Sequence, residues 1–171
     1  MIEPLILPRR TLLVLCGSTG SGKSTFAAQR FPATNIVASD HCRALVCDDE
    51  NEQRFSKDAF DLFYYILRKR MLNGFFCVAD STALTSQVRK ELRSLSRHYG
   101  YYGCLLILMT PPEICIQRIK QRVRQVPDEV VRYHTSLLPQ VLEEAPKEGW
   151  ERIRIVREDE RAIEIMVETE Q

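Results

Sequence analysis

Three observations in this sequence predict an α/β fold with a mostly parallel sheet of about five strands, helices on both faces and a helical lid. Short apolar runs recur along the chain, segments of helical period lie between them, and a Gly/Ser-rich stretch joins the first run directly to a helix. The 171 residues are the length of one domain, and 44% hydrophobic content is enough for a proper core. The whole chain, 1–171, is therefore read as one domain.

The first strand is Leu12 to Cys16, apolar throughout as in a strand buried on both faces. Residues 17–25 follow as Gly-Ser-Thr-Gly-Ser-Gly-Lys-Ser-Thr and match G-x-x-x-x-G-K-[ST], with a helix-compatible stretch, Phe26 to Arg30, after them. This is a phosphate-binding P-loop in the strand-loop-helix setting that the motif requires. Gly17, Ser18, Thr19, Gly20, Ser21, Gly22 and Thr25 wrap backbone N–H groups around a polyphosphate. Lys23 reaches the β- and γ-phosphates, and the Ser24 hydroxyl ligates Mg²⁺. The following helix adds the positive end of its dipole.

Further strands are expected at Ile36 to Ala38, Phe75 to Ala79, Cys104 to Met109 and Ile153 to Val156. A helix spans about Lys57 to Leu72, with Ser56 as its N-cap, Gly74 near its end, and Ala59, Phe60, Phe63, Tyr64, Ile66 and Leu67 on its apolar side. Another runs from Ser86 to His98, with Val88, Leu92 and Leu95 inward and Arg89, Arg93 and Arg97 on a solvated stripe. Ala162 to Val167 fits a strand or a short helix equally well. In a parallel sheet ligands bind beyond the carboxyl ends of the strands, where the P-loop, Asp40 and Asp80 all emerge.

Composition narrows the function classes. No apolar run approaches a membrane span, Glu3, Pro4 and Pro8 interrupt the N-terminus where a signal peptide would be apolar, and a cytoplasmic protein without a membrane partner is expected. The six cysteines form no C-x-x-C pair or zinc spacing and read as packing residues. The net charge of +1 hides an asymmetry: residues 1–142 hold 19 Lys/Arg against 13 Asp/Glu, and residues 143–171 hold 5 against 10. A local basic surface facing a nucleic acid is allowed, but coating DNA by charge alone is not favoured.

A P-loop can serve a GTPase switch, an ATPase motor or a kinase. Ser39-Asp40-His41-Cys42-Arg43 discriminates, because it sets a carboxylate and a guanidinium one helical turn apart just past a strand end. In a kinase Asp40 orients the acceptor hydroxyl and accepts its proton, and Arg43 grips an anionic group on the acceptor. The plainer alternative is that Asp40 caps the next helix and Arg43 merely pairs with it. Asp80 reads as a Walker B acid holding Mg²⁺ directly or through water, or as a turn former. From Gln117 to Gln125 four basic residues occur without an acid, after a Pro111-Pro112 helix start. Arg118 and Arg122, four apart, share a helix face there as lid arginines over the transferring phosphoryl group, unless the run is simply an exposed basic helix.

GSTGSGKSTF from Gly17, SDHCRALVCDDENEQ from Ser39, AFDLFYYILRKRMLNG from Ala59 and VADST from Val78 closely resemble the kinase module of bacterial end-healing and end-sealing proteins. In that family a polynucleotide 5′-kinase, related to the bacteriophage enzyme, is joined to a 3′-phosphatase and a ligase. The likeness is strongest over residues 12–134. It implies ATP (or another NTP) and Mg²⁺ as cofactors and a DNA or RNA 5′-hydroxyl end as partner. It makes Lys23 and Ser24 the phosphate and metal residues, Asp40 the general base, Arg43 an acceptor contact and Arg118 and Arg122 lid residues. Gln53 and Val130 fall beside the terminal nucleoside. Where the family continues its third-strand acid as D-A-T-N, this chain has Asp80-Ser81-Thr82-Ala83, so the hydrogen bond of that Asn is missing. The chain is too short to hold a phosphatase or ligase and is read as the N-terminal module of a longer end-repair protein or a free-standing kinase. A small-molecule P-loop kinase acting on a sugar, nucleoside or antibiotic shares loop, Asp and lid. A regulatory ATP switch is the other alternative, against which Asp40 and the lid arginines argue.

Overall fold

The computed structural model describes residues 1–169. Five parallel strands form the central sheet in the order β3 (Ile36–Ala38), β4 (Cys77–Asp80), β2 (Thr11–Cys16), β5 (Tyr102–Met109), β6 (Arg152–Arg157). Each of the five expected strands is there. The fourth-numbered strand begins at Cys77 instead of Phe75, whose ring is half-exposed. Strand order reverses on either side of β2, so chain leaves its carboxyl end at a switch point, the place where open α/β sheets bind ligands. Leu15 and Ala38 both pair in register with Asp80, which sets that acid level with the ends of the P-loop strand and of β3.

Alternation along β2 divides the core. Leu12, Val14 and Cys16 face α3 (Ser56–Leu72) and α4 (Ser86–His98), where Phe63, Leu67 and Leu92 are fully buried. Leu13 and Leu15 face α1 (Lys23–Ala28), which contributes Phe26 and Ala27. That second face is completed by β1 (Leu5–Leu7) and β7 (Ile165–Val167), a separate two-stranded parallel sheet that resolves the ambiguous last stretch as strand. Cysteines 16, 77 and 104 lie in strands and are fully buried, and desolvation pushes the Cys16 thiol up to about 12. Cys47, at the end of α2 (Ser39–Cys47), is only half-buried.

Two local expectations change. Ser56 is the first residue of α3 and not its N-cap, because the 3-10 turn Gln53–Phe55 runs straight into the helix and Gln53 O accepts the Ser56 N–H. The Ser56 hydroxyl is thereby free to accept from Arg43 Nη2 at 3.3 Å.

The arginine stripe of α4 is the larger correction. Arg89 is 0% and Arg93 4% exposed, and of the three only Arg97 faces solvent. Arg89 Nε donates to both Glu148 oxygens at 3.0 and 3.1 Å, Nη2 to Glu144 at 2.8 Å, and Nη1 to the Ala83 carbonyl at 3.1 Å. Arg93 binds Glu151 and Gly149 O just before β6. The acids come from α7 (Leu138–Glu144) and the turn after it, a part of the chain distant in sequence. Charged N–H groups on carboxylates are strong hydrogen bonds, and here they satisfy guanidiniums that would otherwise be too costly to bury.

Ala83 has φ of 47°, the left-handed region that non-glycine residues avoid. Asn tolerates that conformation more readily than Ala does, so the departure from the D-A-T-N pattern that the sequence resembles is a backbone matter. Here the turn is held by what its carbonyl accepts: the Arg89 guanidinium and the Cys16 thiol at 3.4 Å.

Candidate active site

Backbone shape makes the phosphate cradle. Gly20 and Gly22 have φ of 75° and 87°, and Gly17 N–H donates to Thr82 O at 3.0 Å, fixing the loop to the segment after β4. A Cβ on Gly20 would meet the Cys115 carbonyl oxygen at 2.6 Å, and neither that backbone nor the positive φ can yield cheaply. Gly20→Ala is expected to lower unfolding free energy by roughly 1–3 kcal/mol and to weaken nucleotide binding. Urea unfolding and nucleotide titration measure the two effects.

Lys23 folds back on the loop, donating to Gly17 O at 3.0 Å and Ser18 O at 2.8 Å. Burial pushes its pKa down, with the nearby Asp80 charge opposing. Asp80 is buried, which pushes its carboxyl up, while Lys23 and the Ser24 hydroxyl pull the other way. The Ser24 hydroxyl donates to Asp80 Oδ2 at 2.7 Å. These two oxygens suit Mg²⁺, which keeps several waters and takes phosphate oxygens, so few protein ligands are needed. Among the described residues no group of three or more His, Cys, Asp and Glu forms a dedicated metal cage.

A cavity of about 610 Å³ joins this cradle to the acceptor side. Thr19, Gly20, Gly22, Lys23 and Ser24 form one wall, Asp40, Arg43 and Gln53 a second, and Arg122, Arg124 and Val130 the lid side. Of the plainer reading of the Asp40-Arg43 pair, the pairing holds and the cap does not. Arg43 Nη1 does donate to Asp40 Oδ1 at 2.7 Å, but Asp40 makes no cap hydrogen bond, and its carboxylate lines the cavity.

Three features escaped the sequence. Arg124, one of the basic run but not singled out, donates to Asp40 Oδ2 at 2.6 Å. His134, on α6 (Asp128–Ser136), accepts the Thr19 N–H on Nδ1 at 3.3 Å, and burial together with the Lys23 charge lowers its pKa. The Nδ1 acceptor assigns the proton of the neutral ring to Nε2. No local motif marks either residue.

The third concerns the lid. Helix α5 (Pro112–Lys120) ends before Arg122, and 121–127 is irregular, so Arg118 and Arg122 do not share a helix face. Cys115, Ile116, Ile119 and Val131 give α5 and α6 a small core of their own. Arg118 lies behind the P-loop, donating to Ser21 O at 3.2 Å and to Glu158 at 2.7 Å. Arg161 reaches the same Ser21 carbonyl and the same Glu158. Burial alone would raise the Glu158 carboxyl, but the hydrogen bonds from Arg118 and Thr110 and the Arg161 charge overcome it and hold it at about 2. Arg118 and Arg122 meet again at a neighbouring cavity of about 450 Å³, with Thr25 and Arg161. A wider groove of about 850 Å³ between α3 and α4 holds none of the candidate site residues.

A family model described as AAA domain matches residues 12–145. Among solved structures, one from the PezAT chromosomal toxin-antitoxin system of Streptococcus pneumoniae is 20% identical, with TM-score 0.63 over 89% of this chain and 70% of its own. A chain of the Pnkp1/Rnl/Hen1 RNA repair complex is 20% identical, with TM-score 0.68 over 83% of this chain. This protein spans 47% of that chain's length. A gluconokinase from Sinorhizobium meliloti 1021 is 17% identical, with TM-score 0.53, covering 88% and 83%. At these identities the likeness shows the P-loop phosphotransferase fold. No curated protein matches the sequence. Among the described residues, no helix is long and apolar enough to cross a membrane.

Proposed function

This chain belongs to the AAA domain family, and from that premise we propose that it is an ATP-dependent polynucleotide 5′-hydroxyl kinase that phosphorylates DNA or RNA ends for repair. The observation that carries the reading is the pair of guanidiniums on Asp40. Arg43 and Arg124 both line the cavity at the P-loop mouth, and each keeps a buried Nε–H with no acceptor. Buried donors of this kind are expensive unless a ligand completes them. An acceptor with a hydroxyl for Asp40 and an anion beside it fits, as the 5′ end of a strand does with the phosphate on its first nucleoside. Gln53 and Val130 line the same cavity and offer a base only non-specific contact.

In the reaction Lys23 exchanges the Gly17 and Ser18 carbonyls for β- and γ-phosphate oxygens. Ser24 and Asp80 would hold Mg²⁺, which would supply charge neutralisation on the phosphates. Asp40 orients the acceptor hydroxyl and takes its proton. Arg122, exposed on the lid at the junction of the two cavities, is placed to meet charge on the transferring group.

The test is transfer of label from γ-labelled ATP to single-stranded DNA and RNA with 5′-hydroxyl ends, beside gluconate, shikimate, nucleosides and nucleoside 3′-phosphates. Label is expected on the oligonucleotides, and nucleoside 3′-phosphates should exceed plain nucleosides by roughly 10- to 100-fold, the worth of one charged hydrogen-bonded contact. Label confined to a small alcohol would make this a metabolite kinase.

A further inference from the structure

The two guanidiniums on Asp40 are not equivalent. Arg43 is 5% exposed, belongs to the same helix as Asp40, and is tied down by the Glu50 carbonyl at 3.0 Å and the Ser56 hydroxyl. Arg124 sits in the irregular segment between α5 and α6, and its side chain is 27% exposed. Its anchors across the cavity are carboxylates alone: Asp40 Oδ2 at 2.6 Å and Glu50 at 3.8 Å. Its Nε–H is buried without an acceptor. Arg43 is thus a fixture of the Asp40 helix, whereas Arg124 is held by charge and can be drawn off by a better anion. A phosphate is one, since it accepts two parallel hydrogen bonds from a guanidinium.

We propose that Arg124 is a positioning residue that gates the base: it occupies Asp40 Oδ2 until the anionic group of an acceptor takes it away. The inference rests on phosphoryl transfer and on no particular acceptor. With Arg124 in place, Oδ1 is engaged by Arg43 and Oδ2 by Arg124. A water molecule near a bound γ-phosphate then meets a carboxylate whose negative charge is shared between two guanidiniums, which weakens its pull on a proton. When the acceptor anion pulls Arg124 across, Oδ2 is released for the hydroxyl brought by the same molecule. The hydroxyl proton passes to Oδ2 and the acceptor oxygen forms its bond to Pγ. The bond from Pγ to the bridging oxygen breaks, and ADP leaves with that electron pair. Gating the base in this way couples turnover to acceptor binding and suppresses loss of ATP to water.

The experiment compares acceptor-independent ATP hydrolysis, and KM and kcat for a 5′-hydroxyl oligonucleotide, in wild type, Arg124→Gln and Arg124→Lys, with thermal unfolding of each as a check on folding. In Arg124→Gln hydrolysis without acceptor should rise about tenfold, the lower range of one charge-assisted hydrogen bond, and acceptor KM should rise with kcat largely kept. Arg124→Lys retains a cation for Oδ2 and should hold hydrolysis near the wild-type rate. Hydrolysis in Arg124→Gln within about twofold of wild type, or absent from both, overturns the gate. Equal rises in the Gln and Lys variants make Arg124 a packing residue and overturn it too. Because hydrolysis needs no acceptor, failure of the gate is distinguishable from failure of the polynucleotide reading, which shows only as absence of label on the oligonucleotide.

Discussion

Asp40→Asn will lower phosphoryl transfer by about 10²- to 10⁴-fold, the contribution of a positioned general base, while the chain remains folded. The substitution keeps the shape of the side chain and removes both its proton affinity and its charge. Its Oδ1 can still accept from Arg43, and Arg43 keeps the Glu50 carbonyl and the Ser56 hydroxyl. The loss of stability should therefore be small, about 1–2 kcal/mol for weakened charge-assisted hydrogen bonds at a half-exposed site. Single-turnover transfer from labelled ATP separates chemistry from product release. Near-normal transfer by this variant would remove Asp40 as the base and leave it as the partner that holds Arg43.

The second large effect is on stability and lies away from the phosphates. Arg89→Met is expected to cost about 3–5 kcal/mol, the penalty for breaking a buried ion pair from one side. Glu148 would keep only the Trp150 Nε1–H at 2.9 Å among its present side-chain donors, in a site where its own side chain is 1% exposed. Replacing both partners by Arg89→Met with Glu148→Gln should recover part of the loss, because the orphaned charge goes with its partner. Urea unfolding of the single and double variants measures this, and a single-variant cost below about 1 kcal/mol would mean that water compensates. Activity should suffer as well. Without Arg89 the Ala83 carbonyl loses its charged donor, the left-handed turn is held by Cys16 alone, and Thr82, which anchors Gly17, is the neighbouring residue.

What could be read from the sequence was what is encoded locally. The P-loop carries its own backbone instructions, and α3 and α4 come out at Ser56–Leu72 and Ser86–His98, beside expectations of Lys57–Leu72 and Ser86–His98. Periodicity sets such boundaries and the faces of isolated helices. It cannot say whether a charged stripe meets water or carboxylates arriving from elsewhere in the chain, which is why Arg89 and Arg93 read as solvated although both are buried. The same limit hid Arg124 and His134, whose partners Asp40 and Thr19 are 84 and 115 residues away in sequence. The pairing of Arg118 and Arg122 failed for another reason, since helix spacing was extended past the true end of α5 at Lys120. Strand β1 is three residues long and has no signal apart from its distant partner.

The support behind the phosphate loop has a temporal side. Ser21 O is held from the rear by Arg161, and Arg118 reaches it braced by Glu158, so the phosphate loop depends on residues synthesised well after it. Strand β1 likewise waits for β7 to emerge before it has any partner. Contacts of such long separation are slow to close because the intervening chain must first be ordered. On a ribosome the nucleotide cradle would therefore remain unbraced until Glu158 and Arg161 have emerged. The bracing thus arrives after all the residues that line the cavity have been made.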